Sequence, residues 1–258
     1  MVERYIDLSG FYDRTGLQPL KEQILDATAE YQGHYKRVYR CLGAAGELRR
    51  DLNELLADES VRHKLAKRAA GIISRELKKP GGSGQESQRF LSAVTHQGLV
   101  TLWETVEAQA NRVYELADSY GLAHDLLNPI LTAALAAGHR AIVCPDPMAP
   151  DRLAHLIFPD LSLAFVTSAG EAPWPHHAYR RLRLDAMADA EACRANRPRL
   201  RFTRKVAAAL VDEGVAALTQ AKQAHDRLEQ LYNPHVDFSG VTTLADQLAD
   251  QVLSLNRI

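Results

Sequence analysis

The sequence predicts an α/β fold, a small, mostly parallel sheet flanked by two α-helical hairpins. Two observations carry this. Long stretches toward both ends repeat apolar residues at helical spacing. Between them, short apolar runs alternate with helical segments, the pattern of βαβ units and a mainly parallel sheet.

Residues 17–79 read as helices. Leu20, Ile24, Ala27 and Tyr31 recur at helical spacing, followed by Val38, Leu42, Ala45, Leu48, Leu52 and Leu55. Arg49, Arg50, Asp51 and Glu54 fill the opposite, solvated face. A second helix over about 59–78 carries Val61, Leu65, Ala69, Ile72, Ile73 and Leu77 and ends at Lys78-Lys79. With so little chain between them, the two helices predict an antiparallel hairpin. Pro80–Ser87 then reads as a flexible linker. Its Gly-Gly-Ser-Gly lacks the preceding strand that a phosphate cradle requires.

From Arg89 the texture changes. Phe90–Thr95 reads as a strand, Leu99–Ala110 as a helix and Arg112–Leu116 as a second strand. A loop, Ala117–Ala123, leads into an apolar helix over about 124–137 that stops at Gly138. His139–Cys144 is a third strand, Leu153–Phe158 a short helix or turn, and Leu161–Thr167 a fourth, apolar strand of the kind buried on both faces. Residues 168–198 read as irregular. The helical period returns through Val206, Leu210, Ala217, Ala221, Leu228 and Leu231, breaks at Asn233-Pro234, and resumes over about 240–256. The chain therefore divides into a helical hairpin region (1–79), a linker (80–87), an α/β core (88–170), and an irregular segment with a C-terminal hairpin (171–258). Ala45, Leu52 and Leu55 stand in the same relation as Ala221, Leu228 and Leu231, which suggests an internal repeat.

Composition bounds the function. The 258 residues, 46% hydrophobic and 24% charged, suffice for a core without disulfide staples. Lys plus Arg is 31 against Asp plus Glu 32, so no global basic field exists to hold nucleic acid. Cys41, Cys144 and Cys193 form no CxxC pair, which fits reduced thiols. The N-terminus lacks a signal-peptide pattern, and no apolar run approaches the roughly 20 residues that cross a bilayer. A cytoplasmic protein without a membrane partner is expected.

Several residue groups could carry chemistry. His124, Asp125, Cys144, Asp146 and His155 fall near the carboxyl ends of the strands, where α/β ligand sites form, and include metal-ligand types, although their spacing matches no metal signature. His176-His177 lies in a Pro/Trp loop and is read as surface. Arg180, Arg181, Arg183, Arg194, Arg197, Arg199, Arg201 and Arg204 form a basic run, read as a solvated face or a contact for an acidic partner. His225-Asp226 are helix neighbours that do not share a face. There is no GxSxG elbow and no GxGxxG after a strand, which sets aside an α/β-hydrolase and a dinucleotide enzyme.

FLSAVTHQG (90–98), RVYEL (112–116), residues 137–168 and AKQAHDRLEQLYNPHVDFS (221–239) resemble a poorly characterised bacterial family of tandem P-loop ATPase-like proteins. Those proteins carry two α/β nucleotide-binding cores, each followed by a helical hairpin. The family's Cys-x-x-x-Pro-x-x-x-Asp stretch is matched by Cys144, Pro147 and Asp151, and the turn after it by Phe158-Pro159-Asp160. Its hairpin pattern is matched by Ala221, His225, Asp226, Leu228 and Glu229. The resemblance implies that 88–170 is a second core. It also implies that 1–79 is the hairpin remnant of a first repeat whose core this chain lacks.

The resemblance also locates a departure. The family follows the strand equivalent to 112–116 with a Walker A loop, GxPGTGKST. Here the segment is Asp118-Ser119-Tyr120-Gly121-Leu122-Ala123-His124-Asp125. Gly121 remains; Asp118 takes the first glycine position, His124 the lysine position and Asp125 the Mg-binding hydroxyl position. A P-loop wraps phosphate in backbone N–H groups, with lysine and Mg²⁺ neutralising its charge. Asp118 and Asp125 would place like charge beside it, at roughly 4 kcal/mol per contact at about 4 Å and an effective dielectric near 20. Asp125 near a helix start reads instead as a complement to the helix dipole.

The implied protein is a non-hydrolysing pseudo-ATPase, a binding, regulatory or assembly module that needs no cofactor. Its exposed helices would meet a protein partner or a second copy. The alternative is a weak ATP- or GTP-binding enzyme with a non-standard phosphate loop, helped by outside arginines such as Arg180 or Arg181; Mg-ATP would then be the ligand.

Overall fold

The computed structural model describes residues 5–77, 82–169 and 172–255. Lys78-Lys79, read as a helix end, and Pro80-Gly81 of the linker lie outside them, as does residue 256. The chain forms two compact units: the described residues up to Lys36 with those from Leu218 onward, and Arg37–Ala217.

The helices follow the sequence pattern closely. After a single turn, α1 (Arg14–Leu17), come α2 (Lys21–Leu56) and α3 (Glu59–Glu76). The break between them is made by Asp58, whose side chain accepts the Val61 N–H at 2.7 Å and so caps α3. At the other end α7 (Arg197–Tyr232) and α8 (Phe238–Leu255) repeat the arrangement of a 36-residue helix followed by an 18-residue one. The repeat reaches burial: Ala45 and Ala221 are both fully buried, and Leu52 and Leu228 nearly so.

In the first unit, α2 and α7 are tied by Glu30 to Arg227 at 2.5 Å and by Tyr31 edge-on to His225. Phe11 O accepts the Asp237 N–H just before α8, and His235 O accepts the Asp13 N–H just before α1.

In the second unit six strands form one sheet: β1 (Gln85–Gln88), β4 (Arg112–Ala117), β5 (Arg140–Asp146), β6 (Ala149–Phe158), β7 (Leu163–Ser168) and β8 (Arg180–Arg183). Separate from it, β2 (Ser92–Thr95) and β3 (Gly98–Thr101) make an antiparallel hairpin. The sheet order is β1-β5-β6-β7-β4-β8, and the sheet is mixed: β6 runs against both β5 and β7, while the other ladders are parallel. The expected mainly parallel sheet is thus a mixed one, in which β6 alone runs against the other five strands. The cause is Leu153–Phe158, read as a helix or turn, which belongs to a ten-residue strand. Leu156 and Phe158 enter the core on one face of the sheet and Ile157 the core on the other, the period-two signature of a strand. Likewise Leu99–Thr101, read as helical, is β3, and the helix there is only α4 (Trp103–Gln109). Residues 168–198, read as irregular, hold β8 and α6 (Ala190–Ala195).

The sheet separates two cores. On one face α3 and α5 (Ala123–Ala136) pack on Tyr114, Leu116, Leu156, Phe158 and Phe165. On the other, Val106 of α4 and Trp174 pack on Val113, Ile157, Ala164 and Val166. Each large apolar side chain so buried contributes about 1.5–3 kcal/mol. Glu76, at the end of α3, is buried where it accepts from Tyr114 Oη at 2.6 Å and pairs with Arg112 at 2.5 Å, which locks α3 to β4. Also in this unit, Arg37 of α2 pairs with Glu213 of α7, and Ala45 and Ala207 share a small core with Met148. Gly46 lies against the β5–β6 turn, where a methyl group would stand 2.3 Å from the Met148 carbonyl oxygen.

Candidate functional site

The strand β4 ends at Ala117, and its ladder continues one residue further, Asp118 N–H donating to Ser168 O at 3.1 Å. The chain then turns through Gly121, whose φ of +76° favours glycine, and enters α5. This strand–loop–helix unit is the one in which a phosphate loop would sit.

The loop is occupied from within. Asp118 is 6% exposed. It accepts the Ala123 N–H at 2.7 Å and the Tyr120 N–H at 3.0 Å, and the Leu122 N–H is also directed at it. Burial pushes the Asp118 carboxyl above the ordinary carboxylate range, against the opposing pull of these N–H groups. Ser119 N–H is taken by Asp185 at 2.7 Å. The loop carbonyls are held too: the Asn53 amide donates to Gly121 O at 3.0 Å, and Arg152 donates to the same oxygen at 2.7 Å.

His124 stands in the first turn of α5 and accepts the Leu153 N–H on Nδ1 at 3.0 Å. A neutral ring with an accepting Nδ1 carries its proton on Nε2. Burial, and then the Arg152 charge, hold its pKa below the ordinary histidine value. The ring at position 124 thus resists becoming a cation. Asp125 lies in the first turn of α5, as a dipole complement would. The hydrogen bonds at this helix start, however, go to Asp118.

These residues border a cavity of about 380 Å³. Asp118, Tyr120, Gly121 and His124 line it; Asp125 does not. Arg49, Arg50, Arg152 and Arg204 line it from other elements. Arg50 is spent on a two-pronged pair with Asp151, at 3.0 and 3.3 Å. Arg204 stacks on Tyr120, 4.8 Å from the ring centroid. Sequence reasoning missed this convergence. Arg49 and Arg50 carry the helical signature of a solvated face, and Arg204 is one member of a longer basic run.

His155 also lines the cavity, and its contacts decide whether a nucleophile is present. Nδ1 accepts the Thr167 N–H at 3.1 Å, which leaves the proton on Nε2, 3.2 Å from Ser92 Oγ. The ring therefore donates to Ser92 and cannot take its proton, and burial lowers its pKa to about 4. Ser92 also meets Thr101 Oγ1 at 3.0 Å. This is a structural chain rather than a Ser-His dyad.

The metal-type residues divide. His124, Asp146 and His155 reach the cavity. Cys144, 1% exposed, packs in the core with Ile157, and burial raises its pKa to about 11. Among the described residues, the group whose ligand atoms lie together is His225, Asp226 and Glu229 on the surface of α7. There Asp226 pairs with Lys222 at 2.6 Å and His225 with Glu229 at 3.4 Å, ordinary helix-surface pairing. His176 is bonded to Glu107 at 2.5 Å. Arg180 and Arg181 lie on β8 beside a different depression, bordered also by Arg68 and Arg75.

Among the described residues, no helix is long and apolar enough to cross a membrane. Comparison of the chain with protein-family models, with curated proteins and with solved structures finds no match.

Proposed function

We propose that the chain is a degenerate relative of P-loop ATPases that does not hydrolyse nucleotide and serves as a binding, regulatory or assembly module. One observation carries this reading: the N–H groups with which such a loop would cradle phosphate are directed at the carboxylate of Asp118. An incoming phosphate would have to displace an internal anion and then sit beside it. His124 supplies no lysine-like charge, and Asp125 replaces the hydroxyl that would hold Mg²⁺. The cavity over the loop is the ligand site of the module, its outer helices the surface for a partner, and no cofactor is required.

Phosphate release from Mg-ATP and Mg-GTP tests the reading. It predicts no release above the protein-free blank. Turnover that disappears in His124→Ala would overturn it in favour of the second reading, a weak nucleotide-binding ATPase. That second reading draws support from the arginines lining the same cavity.

A further inference from the structure

We infer that the cavity beside the 118–125 loop binds a small organic carboxylate, its charged end held by Arg152 and Arg204 and its body lying on apolar walls. The inference rests on the preceding reading, because it takes the backbone cradle to be closed and assigns anion recognition to side chains.

Charge supports it first. Of the four arginines that line the cavity, Arg50 is paired with Asp151, while Arg49, Arg152 and Arg204 have no carboxylate within ion-pair distance among the described residues. Other arginines without an ion pair among those residues, such as Arg62 and Arg197, lie outside the cavity, so the concave site is what sets these three apart. Arg152 gives one N–H to Gly121 O, and Arg204 is steadied by Tyr120, so both are positioned while retaining free donors. Two acidic side chains also line the cavity. Asp118 spends its oxygens on the loop N–H groups, and Asp146 accepts the Met148 N–H at 2.8 Å. Unmatched guanidinium groups in a concave site focus positive potential and match a carboxylate with paired donors.

The walls and size supply the rest. Leu52, Leu99, Met148, Leu153 and Val211 offer apolar surface that inorganic phosphate cannot use. About 380 Å³ lies in the range of small-molecule pockets. A ligand with one anionic end and an apolar body satisfies both halves of the lining.

The test is calorimetric titration of the full chain with octanoate, 1-octanol, inorganic phosphate and Mg-ATP. We expect saturable one-site binding of octanoate and at least tenfold weaker binding of 1-octanol and of phosphate. The double variant Arg152→Gln/Arg204→Gln should lose at least tenfold in octanoate affinity, while Arg62→Gln, outside the cavity, should lose nothing. Circular dichroism checks folding; should the double variant not fold, Arg204→Gln alone, on the exposed face of α7, takes its place. No saturable octanoate binding, equal binding of octanol, tighter binding of phosphate, or an unaffected arginine variant each overturns the inference. Silence from both octanoate and Mg-ATP sinks the carboxylate site and leaves the non-hydrolysing reading standing. Mg-ATP binding accompanied by phosphate release, both abolished by His124→Ala, sinks that reading whatever octanoate does.

Discussion

Asp118 and Ala123 are joined by a hydrogen bond of 2.7 Å, the carboxylate of one accepting the backbone N–H of the other at the start of α5. Five residues apart, they close the loop on itself. The side chain takes up the loop's own N–H groups, so the loop is closed by an internal acceptor.

Replacing that carboxylate should loosen the loop. Asp118→Asn keeps the shape but turns an amide toward donors and removes one acceptor. The cost of leaving a buried N–H unpaired is about 1–3 kcal/mol. The urea midpoint should fall accordingly; an unchanged midpoint would mean that the N–H groups find other partners and that Asp118 is not the latch.

His155 sets a pH dependence of known sign. Its folded pKa, about 4, lies below the ordinary 6.5. The unfolded chain therefore binds the proton first as pH falls. The stabilising contribution is complete above about 6.5, declines as pH falls toward 4, and amounts to roughly 3 kcal/mol over that window. Urea unfolding from pH 7 to pH 4 should show this loss, and His155→Gln should show a flatter profile, with lower stability at pH 7. Parallel profiles for the two proteins would contradict the buried neutral ring.

Gly46 permits the contact between α2 and the turn at Met148, where a methyl group would sit 2.3 Å from a carbonyl oxygen. Helix propensity alone would make Gly46→Ala stabilising by up to about 1 kcal/mol. The clash reverses the sign, at about 1–3 kcal/mol destabilising. A higher melting temperature in Gly46→Ala would refute the close approach.

The cysteines should react unequally. Cys144 is fully buried and its thiol resists ionisation, while Cys41 and Cys193 are half-buried. Mass spectrometry after native iodoacetamide treatment should find label on the latter two before Cys144. Early labelling of Cys144 would place it outside the core.

The helices were legible because their physics is local. Leu52 and Leu55 mark an apolar stripe and Asn233-Pro234 a break, while the Asp58 cap went unread; α2 and α7 begin and end at matching positions of the repeat. The sheet was less so. Arg152 and His155 give β6 a polar content that reads as a turn, and what holds it as a strand is its pairing with β5 and β7, which no local window contains. The loop at 118–125 stood out by its departure from a phosphate loop. The direction of the Asp118 side chain, and the meeting of Arg49, Arg152 and Arg204 from three separate elements, depend on tertiary packing and left no mark in the spacing.

We propose that the Asp118 carboxyl fills the phosphate position of its own loop; thermal unfolding with and without millimolar Mg-ATP, Mg-ADP and Mg-GTP decides this. A ligand at 100 times its dissociation constant stabilises a fold by about 2.7 kcal/mol, a shift of a few degrees for a chain of this size. No shift is expected with any of the three nucleotides; a clear, nucleotide-selective shift would overturn this reading of Asp118.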